Sequence, residues 1–211
     1  MFGDWASLPF PEKLNVYTHA IGLILVLIGT PLLLIHALRL NDWSIFWCMA
    51  VFTIGMVWMY ASSTLYHMAI KPGRKKMLRK LDHAAIFGLI GGTYTPFISI
   101  YYNQSEGWIF LFILWSIILL GMLVKVFHIG KNKLLSSALY LILGWMVMLI
   151  YGPITTDMPS LVHTWLLIGG LFYTLGVVFY IWKRLRYHHA IWHLFVVGGT
   201  TSHYLSLYHS L

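Results

Sequence analysis

Three histidines and an aspartate, His67, Asp82, His189 and His193, sit in segments that are otherwise almost purely apolar. Three neutral imidazoles with a carboxylate close by form a set that can hold a zinc ion and leave one position open to water. In the run His189-Ala190-Ile191-Trp192-His193 the two histidines are spaced i, i+4, so a helix turns both toward one face. Ser63 stands in the same relation to His67 and can reach the same water or substrate, unless its hydroxyl bonds back to its own helix. With zinc bound, the metal supplies hydroxide near neutral pH and polarises a carbonyl, and Asp82 accepts a proton or orients the nucleophile. The same three ligands also suit a purely structural zinc that pins helices together.

The elements that must bring these residues together are read from composition. The chain of 211 residues is 59% hydrophobic, 17% aromatic and only 9% charged. Soluble domains are roughly 25% charged, so the expected solvent is a bilayer. A membrane-spanning helix needs ~20 apolar residues. Seven such stretches are expected, over 15–38, 44–67, 81–101, 107–128, 134–152, 161–182 and 188–209. They leave only short connections, which predicts one all-α domain over 1–211, a seven-transmembrane helix bundle. Every Lys and Arg except Arg39 falls on one side of that arrangement, whereas Asp42, Glu106 and Asp157 fall on the other. Positive charge is retained inside, so the N-terminus is expected in the cytoplasm and the C-terminus outside.

Depth then sorts the histidines. The second helix ends, and the third and seventh begin, on the cytoplasmic side, which puts His67, Asp82, His189 and His193 in one layer. His203 lies ten residues beyond His193, ~15 Å deeper along a helix, and is excluded from the same cluster. His36, His163 and His209 belong to the far side. His188 points ~100° away from the pair and is expected at the interface. His19 and His83 share the inner layer and remain rivals as ligands; depth does not exclude His128 either. Asp82 is the one acidic residue expected inside the apolar boundary, since Asp4, Glu12, Asp42, Glu106 and Asp157 fall in flanks or connections. A carboxylate there is costly and marks a functional site or an ion pair with Arg79 or Lys80.

Other features set limits. The net charge of +8 is a topology signal that also touches anionic headgroups, and no aromatic stacking motif accompanies it, so nucleic acid is not an expected partner. The single cysteine, Cys48, excludes an internal disulfide and a thiolate-rich metal site. The N-terminus lacks a basic leader with a small-residue cleavage site, so the first helix is expected to be retained. Lys71-Pro72-Gly73 is expected to stop the second helix and Gly152-Pro153 the fifth, whereas Pro31 and Pro96 fall inside helices. Gly91-Gly92 and Gly169-Gly170 are expected to let helices approach closely. Trp43, Trp47, Tyr101, Tyr102 and Trp108 mark the outer interface.

The motifs Glu12-Lys13-Leu14-Asn15-Val16-Tyr17-Thr18-His19, Ser63-Thr64-Leu65-Tyr66-His67, Leu81-Asp82-His83 and His189-Ala190-Ile191-Trp192-His193-Leu194-Phe195-Val196 resemble the hemolysin III proteins. These are the bacterial branch of the progestin and adipoQ receptor superfamily, itself related to alkaline ceramidases. The resemblance spans essentially the whole chain. It implies seven helices, a cytoplasmic N-terminus and a bacterial plasma-membrane location. It assigns zinc to His67, His189 and His193, puts Asp82 on the water with Ser63 close by, and demotes His19 and His83. It gives no role to Glu12, Asn15, His19 or His203.

Together these readings predict a zinc-dependent hydrolase of a membrane lipid amide or ester, with membrane lipids as partners. The alternatives are a membrane-permeabilising cytolysin and a sensor of membrane state held together by structural zinc. A secreted pore former is disfavoured, because seven lipid-embedded helices cannot travel as a soluble toxin. No substrate and no protein partner follows from the sequence.

Overall fold

A computed structural model describes residues 5–127 and 133–211, with the Lys133 side chain also outside the description. Asp4, His128 and Lys131 therefore lie outside the described residues. Among the described residues the chain is all-helical, with α1 (Phe10–Leu38), α2 (Trp43–Met68), α3 (Pro72–Tyr101), α4 (Ser105–Phe127), α5 (Lys133–Gly144), the short α6 (Tyr151–Thr155), α7 (Ser160–Ile181) and α8 (His188–Tyr208).

Local signals start these helices. Asp42 caps α2, its carboxylate accepting from the Ser44 and Ile45 backbone N–H groups at 2.8 and 3.2 Å. Pro72 opens α3 at a position where a missing N–H costs nothing. For that reason 71–80, expected to be a basic loop ahead of a helix at 81, is instead mostly helix. The Lys, Arg, Met and Leu residues that follow Pro72 are good helix formers, so α3 extends outward beyond its apolar stretch and carries the basic residues with it.

The expected fifth helix, 134–152, is broken rather than continuous. Its helix ends at Gly144, passes through a tighter turn over Met146–Ile150 and resumes as α6, with Gly152 and Pro153 inside that short helix instead of terminating the longer one. The break leaves backbone groups unpaired in an apolar setting, and Tyr94 of α3 satisfies them. Its hydroxyl donates toward the carbonyls of Leu143 (3.0 Å) and Gly144 (2.9 Å) and accepts from the Val147 N–H (2.8 Å).

Packing makes α3 the central helix, against α2, α4, α5, α6 and α8, while α8 closes the bundle between α7 and α1. Close approach depends on small residues. A Cβ at Gly92 would stand 3.1 Å from the Val51 carbonyl oxygen of α2, and one at Gly169 would strike the His203 ring. Pro31 and Pro96 lie inside α1 and α3, and Cys48 is buried in α2. The outward faces are apolar, with Ile54, Phe112, Phe127 and Leu149 all more than 60% exposed. A surface of that kind is stable in lipid and not in water.

Six helical segments are long and apolar enough to cross a membrane: Phe10–Leu38, Trp43–Met68, Pro72–Tyr101, Ser105–Phe127, Leu134–Thr155 and Ser160–Ile181. The expected count was seven. The remaining segment, α8, has 21 residues, and its interior face carries His193, Thr200, Ser202, His203 and Ser206. Those polar residues keep it out of a count based on apolarity.

Candidate metal centre

The site forms where α2 ends and where α1, α3 and α8 begin. His67 closes α2, and His189 and His193 lie in the first two turns of α8. Their ring centres are 4.6 to 5.1 Å apart, and one ligand nitrogen from each lies within 4.8 Å of the other two. Among the described residues this is the group of histidine, cysteine and acidic side chains able to hold a metal ion. Tyr187, immediately before α8, adopts a left-handed backbone (φ 61°) unfavourable for a bulky residue. The Phe10 ring packs edge-on against it, holding the turn that aims the start of α8.

The hydrogen bonds behind the rings decide which nitrogen faces inward. His67 is buried and its Nδ1 donates to Glu12 Oε2 at 2.6 Å; Lys75 donates to the other oxygen of that carboxylate at 3.2 Å. His193 is fully buried, and its Nδ1 faces the Asn15 carbonyl oxygen at 3.2 Å and the Thr18 hydroxyl at 3.0 Å. The Thr18 hydroxyl in turn donates to the Leu14 and Asn15 carbonyls. Both imidazoles are thereby held with the proton on Nδ1 and a bare lone pair on Nε2. Each Nε2 is buried without a hydrogen-bond partner. Two orphaned imidazole nitrogens in one buried pocket are costly unless something accepts those lone pairs, and a metal ion is the acceptor this donor set fits.

Glu12 corrects the sequence reading. It was expected in a flank; instead it forms part of the first turn of α1 and supports a candidate ligand. The apolar run that defines the membrane segment begins only after residue 14, so composition hid the helical turns before it. The motif Glu12-x-x-Asn15-x-x-Thr18-His19 was the available signal. Its i, i+3 spacings set Glu12, Asn15 and Thr18 along one stripe of α1, and that stripe faces His67 and His193.

Asp82 lies one turn beyond Arg79 on α3, partly buried, in contact with Ser63 and in electrostatic range of His67. Ser63 is buried one turn before His67. The structure thus brings all five predicted residues to one end of the bundle. Of the rivals, His19 stacks on His193 with ring centres 3.5 Å apart and both nitrogens unpartnered, but stands outside the three-histidine group. His83 also stands outside it, its carbonyl accepting from the Tyr140 hydroxyl at 3.1 Å. His188 does not face an interface alone; its Nδ1 donates to the Phe179 carbonyl near the end of α7. His203 is separate, as depth required, donating from Nε2 to the Leu166 carbonyl at 3.2 Å.

The site opens into a cavity of about 430 Å³ that runs between α3, α5, α7 and α8. Asp82, His83 and His189 line one end; Phe97, Tyr151 and Leu166 line the other. Between Asp82 and Phe97 the cavity follows α3 for ~22 Å, the length of a long acyl chain.

The chain is similar to known proteins over most of its length. Residues 10–204 match the family described as Haemolysin-III related. The chain is 37% identical to the "Hemolysin-3 homolog" of Bacillus subtilis (strain 168) over 192 residues, 90% of each protein. It is 36% identical to "Hemolysin-3" of Bacillus cereus over 189 residues, 90% of this chain and 86% of the relative. It is 26% identical to the human "Monocyte to macrophage differentiation factor" over 216 residues, 98% of this chain and 87% of that protein. A family match over nearly the whole length, carried by a helical bundle with an apolar surface, means that the chain belongs to the hemolysin III family of membrane proteins.

Proposed function

We propose that this chain is a zinc-dependent hydrolase of a membrane lipid amide or ester, crossing the bacterial plasma membrane seven times with its N-terminus in the cytoplasm. The observation that carries the reading is the convergence of the unpartnered Nε2 atoms of His67 and His193 with His189, beside Asp82 and Ser63, at the end of an acyl-sized cavity. The seventh crossing is α8: it packs on α7 and α1, and its polar residues turn inward against those two helices, where a bundle tolerates them. The distribution of basic residues supports the orientation, since α3 displays Arg74, Lys75, Lys76, Arg79 and Lys80 at the end that holds the site.

His67, His189 and His193 would hold the ion. When bound, zinc supplies Lewis acidity and lowers the pKa of water at its open position to around 7. The protein contributes the rest. Glu12 and the Asn15 carbonyl fix the tautomers and ring orientations of His67 and His193. Asp82 takes the proton from the attacking water as its oxygen bonds to the acyl carbon, and returns that proton to the departing amine or alcohol as the old bond breaks. Ser63 holds the Asp82 carboxylate in place. The apolar remainder of the cavity binds the acyl chain and excludes bulk water.

The test has two stages. X-ray fluorescence of the purified protein is expected to show about one zinc per chain, lost in the His189→Ala/His193→Ala double variant. Incubation with membrane lipids is expected to release fatty acid with wild type and not with Asp82→Ala, although that variant keeps its metal. Metal retained with no lipid cleaved by either protein would leave zinc as a structural pin and favour a sensor of membrane state. The name of the Bacillus cereus relative gives a second reading, permeabilisation of membranes. Dye leakage from liposomes whose lipids stay intact would favour it over hydrolysis.

A further inference from the structure

Lys125 falls near the end of the expected fourth helix, 107–128, among the basic residues of the inner side. The structure turns it inward, and it is only 7% exposed in the last turn of α4. Its ammonium donates to the Ser136 hydroxyl at 2.5 Å and stands 5.9 Å from the centre of the Tyr140 ring. No carboxylate answers it among the described residues. Glu12 is engaged by His67 and Lys75; Asp42 caps α2; Glu106 and Asp157 begin helices at, or adjoin, the opposite end; Asp82 faces Ser63 and His67. The segment 128–132 contributes no acidic residue. A hydroxyl dipole and a ring face do not neutralise a buried ammonium, whose charge is costly in an apolar bundle unless paired.

The wall beside Lys125 shows where an anion would approach it. Ser136 and Tyr140, its two contacts, both line the cavity, and Arg79 and Ser137 line that same end. The cavity is therefore amphipathic, with Arg79 and hydroxyls at one end, Lys125 standing behind Ser136 and Tyr140 there, and Leu89, Phe97 and Leu166 farther along. We propose that Lys125, Arg79 and Ser136 form a binding site for the phosphate of an anionic lipid whose acyl chain occupies the apolar length of the cavity. An ammonium, a guanidinium and a hydroxyl offer donors in several directions, which suits the distributed oxygens of a phosphate better than a neutral headgroup. Arg79 precedes Asp82 by less than one turn of α3, so a headgroup held there sets the lipid's acyl linkage at the Asp82 end. The inference narrows the substrate class of the proposed hydrolase to phosphate-bearing lipids and rests on that reading for turnover, but not for binding.

Binding is therefore tested without turnover. The full chain in detergent is equilibrated with phosphatidylglycerol, phosphatidylcholine, lauric acid or inorganic phosphate, and retention is read by native mass spectrometry. Wild type is expected to retain phosphatidylglycerol over phosphatidylcholine. Lys125→Met is expected to weaken that retention by about tenfold or more, as for loss of a buried charge partner, while Lys125→Arg and Asp82→Ala keep it. Equal retention of the two phospholipids, or a Lys125→Met protein that binds like wild type, overturns the site. Stronger retention of lauric acid overturns the phosphate assignment, and inorganic phosphate held as tightly as phosphatidylglycerol overturns the lipid. Selective binding that depends on Lys125, with no lipid cleaved by wild type, would sink the hydrolase and leave the anion site standing.

Discussion

His193 and His203 sit on the same helix, both buried, yet they do different things. The Nε2 of His203 is spent on the Leu166 carbonyl, and its ring packs with Tyr173 and across from Gly169. The Nδ1 of His193 is spent on α1, which leaves Nε2 bare beside two more imidazoles. Burial of a histidine is thus not the mark of a site. What distinguishes the two ends of α8 is where the second nitrogen points and whether other lone pairs meet it there. At the far end His36 packs on Tyr208 and His163 hydrogen-bonds to Tyr151, so those histidines are separated among aromatic partners.

The comparison breaks most sharply at the metal. Replacing His193 with Ala should abolish zinc binding, whereas His203→Ala should keep full stoichiometry by X-ray fluorescence and lose only thermal stability. Equal metal loss from both would mean that the two ends are not distinct. A smaller effect is expected from the carboxylate behind His67. Glu12→Gln should weaken zinc about 10- to 100-fold in chelator competition, the usual cost of removing support for a ligating imidazole. Its oxygen-to-amide change preserves size, so an unchanged affinity would show that His67 is oriented by packing alone.

Two further variants ask whether the rest of the bundle matters to stability and not to metal. Tyr94→Phe leaves the carbonyls of Leu143 and Gly144 and the Val147 N–H short of a partner, at a cost of about 1–3 kcal/mol. Asp42→Ala removes the α2 cap for about 1 kcal/mol. Both should lower the melting temperature while zinc stays bound. Loss of metal from either would tie the two ends of the molecule together more closely than their separation suggests.

Much of this was legible beforehand, and the misses share a cause. His67, His189 and His193 stand out because an apolar segment makes every polar residue conspicuous. Glu12 was misplaced because it lies where such a segment fades, and there composition cannot tell a loop from a helical turn that packs. The same ambiguity moved the start of α3 from 81 to Pro72. The break after Gly144 was missed for another reason: an unbroken apolar run reads as one helix, and the Tyr94 hydroxyl that stabilises the break comes from a helix fifty residues away.

Sequence alone determined that the chain is helical and lipid-facing, and it separated His203 from the other histidines by helical rise. Periodicity, charge and depth are local quantities that survive without coordinates. Only the tertiary structure decided which nitrogens remain unpaired, that Glu12 supports His67, and that Lys125 faces inward without a counter-charge among the described residues. Those outcomes depend on how α1, α2, α4 and α8 rotate about their own axes when they pack, and no single helix encodes its neighbour's rotation.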